Sequence, residues 1–207
     1  MENLVNFSDG QLKTVERATA MAEDLVSEIY KVSATQWART PFDVKTLAQL
    51  SEHEVTSGHF AQLFRYQGQR PSSTLSSGVF DFYKICLQDH EILKAVGSRS
   101  GLRLFPLALY ILCHELTHVV RFARFIQSFD ASERERNEEE ARVHAITREI
   151  LAPVGIPGME TVCRRYEKAG ALEKNHVWAG SAAPSRKPER KAVSDRDGGL
   201  TQGGSVL

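Results

Sequence analysis

Cysteine is scarce in this chain of 207 residues. The three cysteines, Cys86, Cys113 and Cys163, are widely spaced and form no C-x-x-C pair. An odd number of scattered cysteines argues against a disulfide framework and against a cysteine-ligated zinc site, and it favours a reducing compartment. The amino terminus, MENL, also lacks the basic and apolar pattern of a secretion signal. We therefore predict a cytoplasmic protein.

An excess of charge of either sign is also absent, because 26 basic residues balance 26 acidic ones. This balance gives no electrostatic reason to expect nucleic acid as a partner. The one candidate for a membrane span, from Leu102 to Val120, is short and is interrupted by arginine, histidine and glutamate. The sequence therefore predicts no membrane span.

The segment that carries chemistry is His114-Glu115-Leu116-Thr117-His118, an H-E-x-x-H arrangement in an apolar stretch that is typical of a helix. Residues four apart stand one above the other on a helix, so His114 and His118 can face one metal ion. Glu115 lies about 100° round the helix, where it can reach a metal-bound water as a general base. Two imidazoles and a nearby carboxylate suit hydrolysis by zinc.

The flanks of this motif favour a metal over a charged helix face that holds two histidines by chance. A long apolar run precedes the motif, and two valines follow it. Polar groups in so apolar a segment would each cost a few kcal/mol unless they were paired or coordinated. The helix is predicted to start near Pro106, and its apolar periodicity continues to Phe129.

A second helix is predicted downstream. Ser132 and Glu135 form a capping pattern, and Pro153 marks the far end. A catalytic zinc needs a third protein ligand and an open position for water. The start of this helix offers three consecutive glutamates, Glu138, Glu139 and Glu140. For any one of them alone, a solvated helix start is the competing explanation, since acidic residues suit the helix dipole.

Residues 114–145 resemble the gluzincin family of zinc peptidases. The resemblance is carried by the HELTH motif and by the pair Asn137-Glu138, which comes twenty positions after the second histidine. It implies the zinc ligands His114, His118 and Glu138, with Glu115 as general base. It also implies an α+β, zincin-like fold that is mostly helical, with a small β-sheet preceding the active-site helix.

One residue departs from the family pattern. Gluzincins commonly carry an aspartate four residues after the ligand glutamate, where it accepts a hydrogen bond from the first histidine. This chain has Arg142 there, and an arginine cannot accept that bond.

The helix length raises a second tension. If the first helix reaches Phe129 and turns tightly, His118 faces His144, and Glu138 lies about two turns nearer the bend. The family spacing instead needs a helix that ends near Arg124. The next two glutamates therefore remain alternatives for the third ligand.

Peptide hydrolysis also needs a donor for the developing oxyanion. The candidates are His144, Tyr166 and His176. His144 is preferred, because its helix already carries the proposed third ligand, and we assign it a catalytic role.

Three parts of the chain are expected. Residues 1–40 form an N-terminal helix, with a helical pattern over 9–39, that packs on the core; residues 41–172 form the zincin-like metal-binding domain; residues 173–207 form a disordered tail. A short helix is predicted over 43–51. Residues 79–87 are the best strand, either an ordinary core strand or the sheet edge that pairs with a peptide.

The predicted function is a zinc-dependent metallopeptidase that hydrolyses a polypeptide substrate through a zinc-bound water activated by Glu115. One alternative is a non-hydrolytic helical metal protein. Glu115 and His118 also form the E-x-x-H of di-iron carboxylate bundles, with Glu140 and His144 on the facing helix. Another alternative is a regulator that keeps the zincin fold with little turnover, for which Arg142 is the only support.

Overall fold

The computed structural model describes residues 4–69, 79–97, 101–169 and 178–179. The helices are α1 (Asp9–Tyr30), α2 (Ala34–Arg39), α3 (Asp89–Gly97), α4 (Leu104–Ala123), α5 (Glu133–Leu151) and α6 (Met159–Ala169). The strands are β1 (Phe42–Lys45), β2 (Ala61–Gln69), β3 (Val79–Leu87) and β4 (Trp178–Ala179). The predicted α+β class is confirmed, with a small sheet whose three longer strands all precede α4. Most of the predicted tail lies outside the described residues.

The sheet has the strand order β1-β3-β2-β4. β3 pairs antiparallel with β2 along nine residues and parallel with β1, while β4 pairs parallel with β2 at Leu63 and Phe64. The prediction of a strand over 79–87 is confirmed. Along Tyr83–Cys86 this strand is not an edge that could take up a peptide, because β1 and β2 pair with both of its sides there.

The segment predicted as a short helix over 43–51 is instead a strand followed by a 3-10 turn. β1 pairs with the remaining side of β3, and the turn covers Leu47–Gln49. Phe42 packs edge-on against Trp37 with ring centroids 5.1 Å apart. The prediction is wrong because tertiary contacts override local propensity in so short a segment.

The amino-terminal helix packs on α4 with small residues. Val15, Ala18, Ala22 and Val26 are its buried residues, and they belong to the same hydrophobic cluster as α4. The helix ends at Tyr30, where Lys31 adopts the left-handed conformation with φ 52°. The helical pattern predicted over 9–39 is therefore two helices, of which α1 packs against α4.

Helix α4 lies at the centre of the molecule. Every residue from Pro106 to Phe122 is buried, because α1, α3, α5, α6 and the sheet all contact this helix. The H-E-x-x-H motif is thus in the core, as its apolar flanks predicted. Across the described ranges, no helix combines the length and apolar character needed to cross a bilayer.

Of the two helix lengths that the sequence left open, the one that ends near Arg124 is confirmed and the one that reaches Phe129 is wrong. Helix α4 ends at Ala123, and Phe125 adopts φ 54°. The N–H of Ile126 then donates to the carbonyl of Arg121 at 2.9 Å, a bond of the Schellman type that closes the helix. Phe129 returns to pack on Phe122 with centroids 5.0 Å apart, so the apolar periodicity came from a loop that folds back.

Candidate metal centre

Three side chains that can donate to a metal, from two helices, meet where α4 packs on α5. Nε2 of His114 and Nε2 of His118 lie 3.2 Å apart. The carboxylate of Glu140 places Oε2 3.1 Å from His114 Nε2 and Oε1 3.1 Å from His118 Nε2. The four-residue spacing on α4 brings the two imidazoles together edge to face, with ring centroids 4.8 Å apart. Helix α5 brings the carboxylate to both of them.

The chemistry and spacing of these donors fit a zinc ion. Ligands about 2.0–2.1 Å from a tetrahedral zinc lie about 3.3–3.4 Å from one another. The donor atoms of His114, His118 and Glu140 are spaced close to that edge length and all lie within 4.8 Å of one another. Two imidazoles and one carboxylate are also a set that catalytic zinc uses, with one position left for water or substrate.

The general base predicted at Glu115 is buried beside this group, with 2% of its surface exposed. It lines a cavity of about 40 Å³ together with His114 and His144. Residues 59–61, at the start of β2, also line this cavity. The cavity therefore brings the general base, one proposed ligand and the first strand of the β2–β3 pair into one space that can hold a water molecule.

His144, the predicted oxyanion donor, lies in the same cavity. Its Nδ1 is 2.9 Å from the hydroxyl of Tyr110, and its ring packs on that of His114 with centroids 4.4 Å apart. Tyr166, another candidate, also lines the cavity and stacks on Tyr110 at 5.1 Å. The third candidate, His176, lies outside the described residues. Sequence reasoning missed Tyr110, which stands one turn before His114.

Glu138, the preferred third ligand, is not with the histidines. Its side chain is 57% exposed and accepts a hydrogen bond from Arg134 at 2.9 Å. Glu140, one of the two alternatives, takes the position facing His114 and His118. The reason is the face of α5 that lies against α4. Glu140 is on that face, and Glu138 is about 200° away from it round the helix.

Glu139, the other alternative, is fully buried but faces Arg121 on α4. Arg121 Nε donates to Oε1 of Glu139, and the guanidinium donates to Oε2 at 3.0 Å. Arg142 donates to the same Oε2 at 2.9 Å. Burial opposes ionisation of Glu139, but the hydrogen bond and charge of Arg121, with the hydrogen bond of Arg142, outweigh it and lower the pKa of this carboxyl.

Arg142 occupies the position four residues after Glu138, where gluzincins commonly carry an aspartate. Arg142 bonds Glu139 and its side chain is 55% exposed. Counted from Glu140, the residue four positions on is His144, which packs directly on His114. The family's aspartate therefore has no counterpart at either spacing, because Arg142 follows Glu138 and His144 follows Glu140.

The sequence contains an indication that Glu139 pairs with Arg121, which the prediction of the third ligand did not use. Glu139 lines up with apolar positions of α5, and a carboxylate on such a face needs a partner. Arg121 stands three residues after His118 on the facing helix, within one helical turn of the motif. A pairing of these two residues would have excluded Glu139 as a ligand.

Comparison of this chain with models of known families, with curated protein sequences and with solved structures found no match. The resemblance of residues 114–145 to gluzincins stays a prediction that the HELTH motif carries.

Proposed function

We propose that this protein is a zinc-dependent peptidase. The observation that carries the proposal is the meeting of His114, His118 and Glu140 beside a buried Glu115. A core position is costly for four such side chains, and coordination of a metal offsets that cost. The cavity beside them supplies space for a water molecule.

Zinc, when bound, supplies Lewis acidity that polarises a carbonyl oxygen and makes water a stronger acid near neutral pH. Glu115 takes the proton from the attacking water and passes it to the amine that leaves. Its burial suits this role, because a low-dielectric site makes charge interactions stronger than they are in water. The second residue of the motif thus handles protons, and the first and fifth hold the metal.

His144 supplies a donor for the developing oxyanion. When the phenol of Tyr110 donates to Nδ1 at 2.9 Å, the neutral imidazole keeps its proton on Nε2. We assign that N–H to the stabilisation of negative charge on the attacked carbonyl oxygen. Loss of one such donor typically slows an enzyme by about 10²–10³-fold. Tyr110 sets the tautomer of His144 in this scheme.

The two alternatives gain less support from the geometry. A di-iron centre needs a second set of carboxylates, whereas a search of the described residues finds one group of three donors, with one carboxylate. The regulator alternative rests on Arg142 in place of the family aspartate, and the side chain of Arg142 contacts Glu139. Turnover in a cleavage assay distinguishes this alternative from a peptidase.

The test pairs metal analysis with one substitution. Purified protein should bind about one zinc per chain and cleave unstructured polypeptides in a reaction that a chelator stops and added zinc restores. Glu115→Gln should keep the zinc and lose the cleavage. A wild-type protein that binds no zinc, or a Glu115→Gln protein that cleaves as fast as wild type, would refute the proposal.

A further inference from the structure

Three adjacent glutamates on α5 are each chemically able to serve as a zinc ligand, yet they have three different environments. Glu138 is exposed beside Arg134, Glu139 is buried against Arg121, and Glu140 faces the histidines. Successive residues on a helix point about 100° apart. The direction taken by the middle glutamate therefore determines which neighbour reaches the two imidazoles.

The direction of Glu139 is fixed by a two-pronged contact across the helix interface. Arg121 engages both carboxylate oxygens of Glu139 through Nε and a terminal nitrogen, and Arg142 adds a third hydrogen bond. The side chain of Arg121 is 8% exposed and that of Glu139 is 0% exposed. A bidentate guanidinium–carboxylate pair is geometrically specific, because its two parallel bonds fix orientation as well as distance.

The same pair is tied closely to the proposed metal ligands on both helices. Arg121 follows His118 by three residues, a rise of about 4.5 Å on the same helix. Glu139 directly precedes Glu140. Arg124, one turn after Arg121, also donates to the carbonyl oxygen of Tyr30 at 2.7 Å, which ties this end of α4 to α1. A shift of α5 along or about its axis would break the Arg121 contact and displace Glu140.

We propose that Arg121 and Glu139 are positioning residues that select Glu140 as the third metal ligand. The inference rests on the proposed zinc site and adds a cause for its composition. The bidentate contact with Arg121 holds Glu139 away from the histidines and fixes the rotation of α5 about its own axis where it packs on α4. Glu140 is then the glutamate that faces the two histidines. The contact also offsets the charge of Arg121, which would otherwise stand unpaired one turn from a divalent cation.

A buried ion pair elsewhere in the chain provides a matched control. Glu54 is 1% exposed and accepts hydrogen bonds from Lys84 at 2.6 and 2.7 Å and from Tyr66 at 2.8 Å. It ties a 3-10 turn to the sheet. Glu54→Gln therefore loses a buried ion pair of the same kind without touching α5.

The experiment measures zinc affinity by competition with a chelator, together with the free energy of unfolding of each metal-free protein. Glu139→Gln should weaken zinc binding about 10- to 100-fold, the range found when partners of metal ligands are removed. Arg121→Lys keeps the positive charge but loses the bidentate hydrogen bonding, and it should weaken zinc binding by an intermediate factor. It also provides a variant that folds if Glu139→Gln does not. Glu54→Gln should lose stability and keep wild-type zinc affinity.

Two results would overturn the inference. One is a folded Glu139→Gln or Arg121→Lys protein that binds zinc within about twofold of wild type. The other is a Glu54→Gln protein whose zinc affinity falls as far as that of Glu139→Gln, which would make the effect one of general stability. Failure of wild-type protein to bind zinc would refute the proposed function itself, and the two failures are therefore distinguishable.

Discussion

One pair of substitutions on α5 tests which glutamate is the third metal ligand. Glu140→Gln replaces the only carboxylate of the donor group with a neutral amide of the same shape. Glu138→Gln makes the same chemical change two residues earlier, on an exposed side chain that contacts Arg134. The two variants separate loss of a ligand from loss of a charge on α5.

The magnitudes follow from burial and from binding linkage. Glu138→Gln removes a solvent-exposed ion pair with Arg134, whose attraction is screened by water, so it should be nearly neutral for stability. Zinc at about 100 times its dissociation constant stabilises the folded state by about 2.7 kcal/mol, which raises Tm by about 5–11 °C for a chain of this size. If loss of a ligand weakens zinc binding about 100-fold, the same zinc concentration stabilises the folded state by only about 0.4 kcal/mol, and Tm rises by about 1–2 °C.

Thermal unfolding with and without zinc is the assay. Wild type and Glu138→Gln should show the full rise in Tm, and Glu140→Gln should show little of it. The reverse pattern, with Glu138→Gln insensitive to zinc and Glu140→Gln fully responsive, would refute the assignment of Glu140. Equal responses from all three proteins would show that neither glutamate binds the metal.

Two further predictions concern the core. Burial raises the pKa of Tyr83 to about 12 from 10.0, so the stability that this tyrosine contributes is full below pH 10 and is lost as the pH rises towards 12. About 3 kcal/mol of the free energy of unfolding should be lost over that interval. Denaturant titrations of Tyr83→Phe should lack this part of the alkaline loss. Burial also raises the pKa of the Cys86 and Cys113 thiols to about 12. A thiol reagent at neutral pH should therefore modify Cys163 first in the native protein and all three cysteines in denaturant; rapid labelling of Cys86 or Cys113 in the native protein would contradict their burial.

Local pattern was enough to predict the features that a single segment determines. The H-E-x-x-H motif lies in a buried helix, the capping pattern at Ser132 and Glu135 begins α5, and residues 79–87 form a strand with the predicted bounds. In each case the periodicity or the cap is a property of a few consecutive residues. The packing of α1 on the core was readable for the same reason, from its seam of apolar residues.

Features that depend on how separate segments pack against one another could not be predicted from the sequence. Choosing among three adjacent glutamates requires the phase of α5 on α4, which the contact of Arg121 with Glu139 fixes. The end of α4 depends on the left-handed Phe125 and on a loop that returns Phe129 to the core. The strand β1 exists because β3 offers it an open side. None of these causes is visible within a single window of sequence.

The central claim is that His114, His118 and Glu140 together hold zinc, and X-ray absorption at the zinc edge tests it most directly. Protein loaded with one equivalent of zinc should show two imidazoles and oxygen donors at about 2.0–2.1 Å, with one imidazole lost in His118→Ala. A spectrum that contains sulfur at about 2.3 Å, or one without imidazole scattering, would contradict the account.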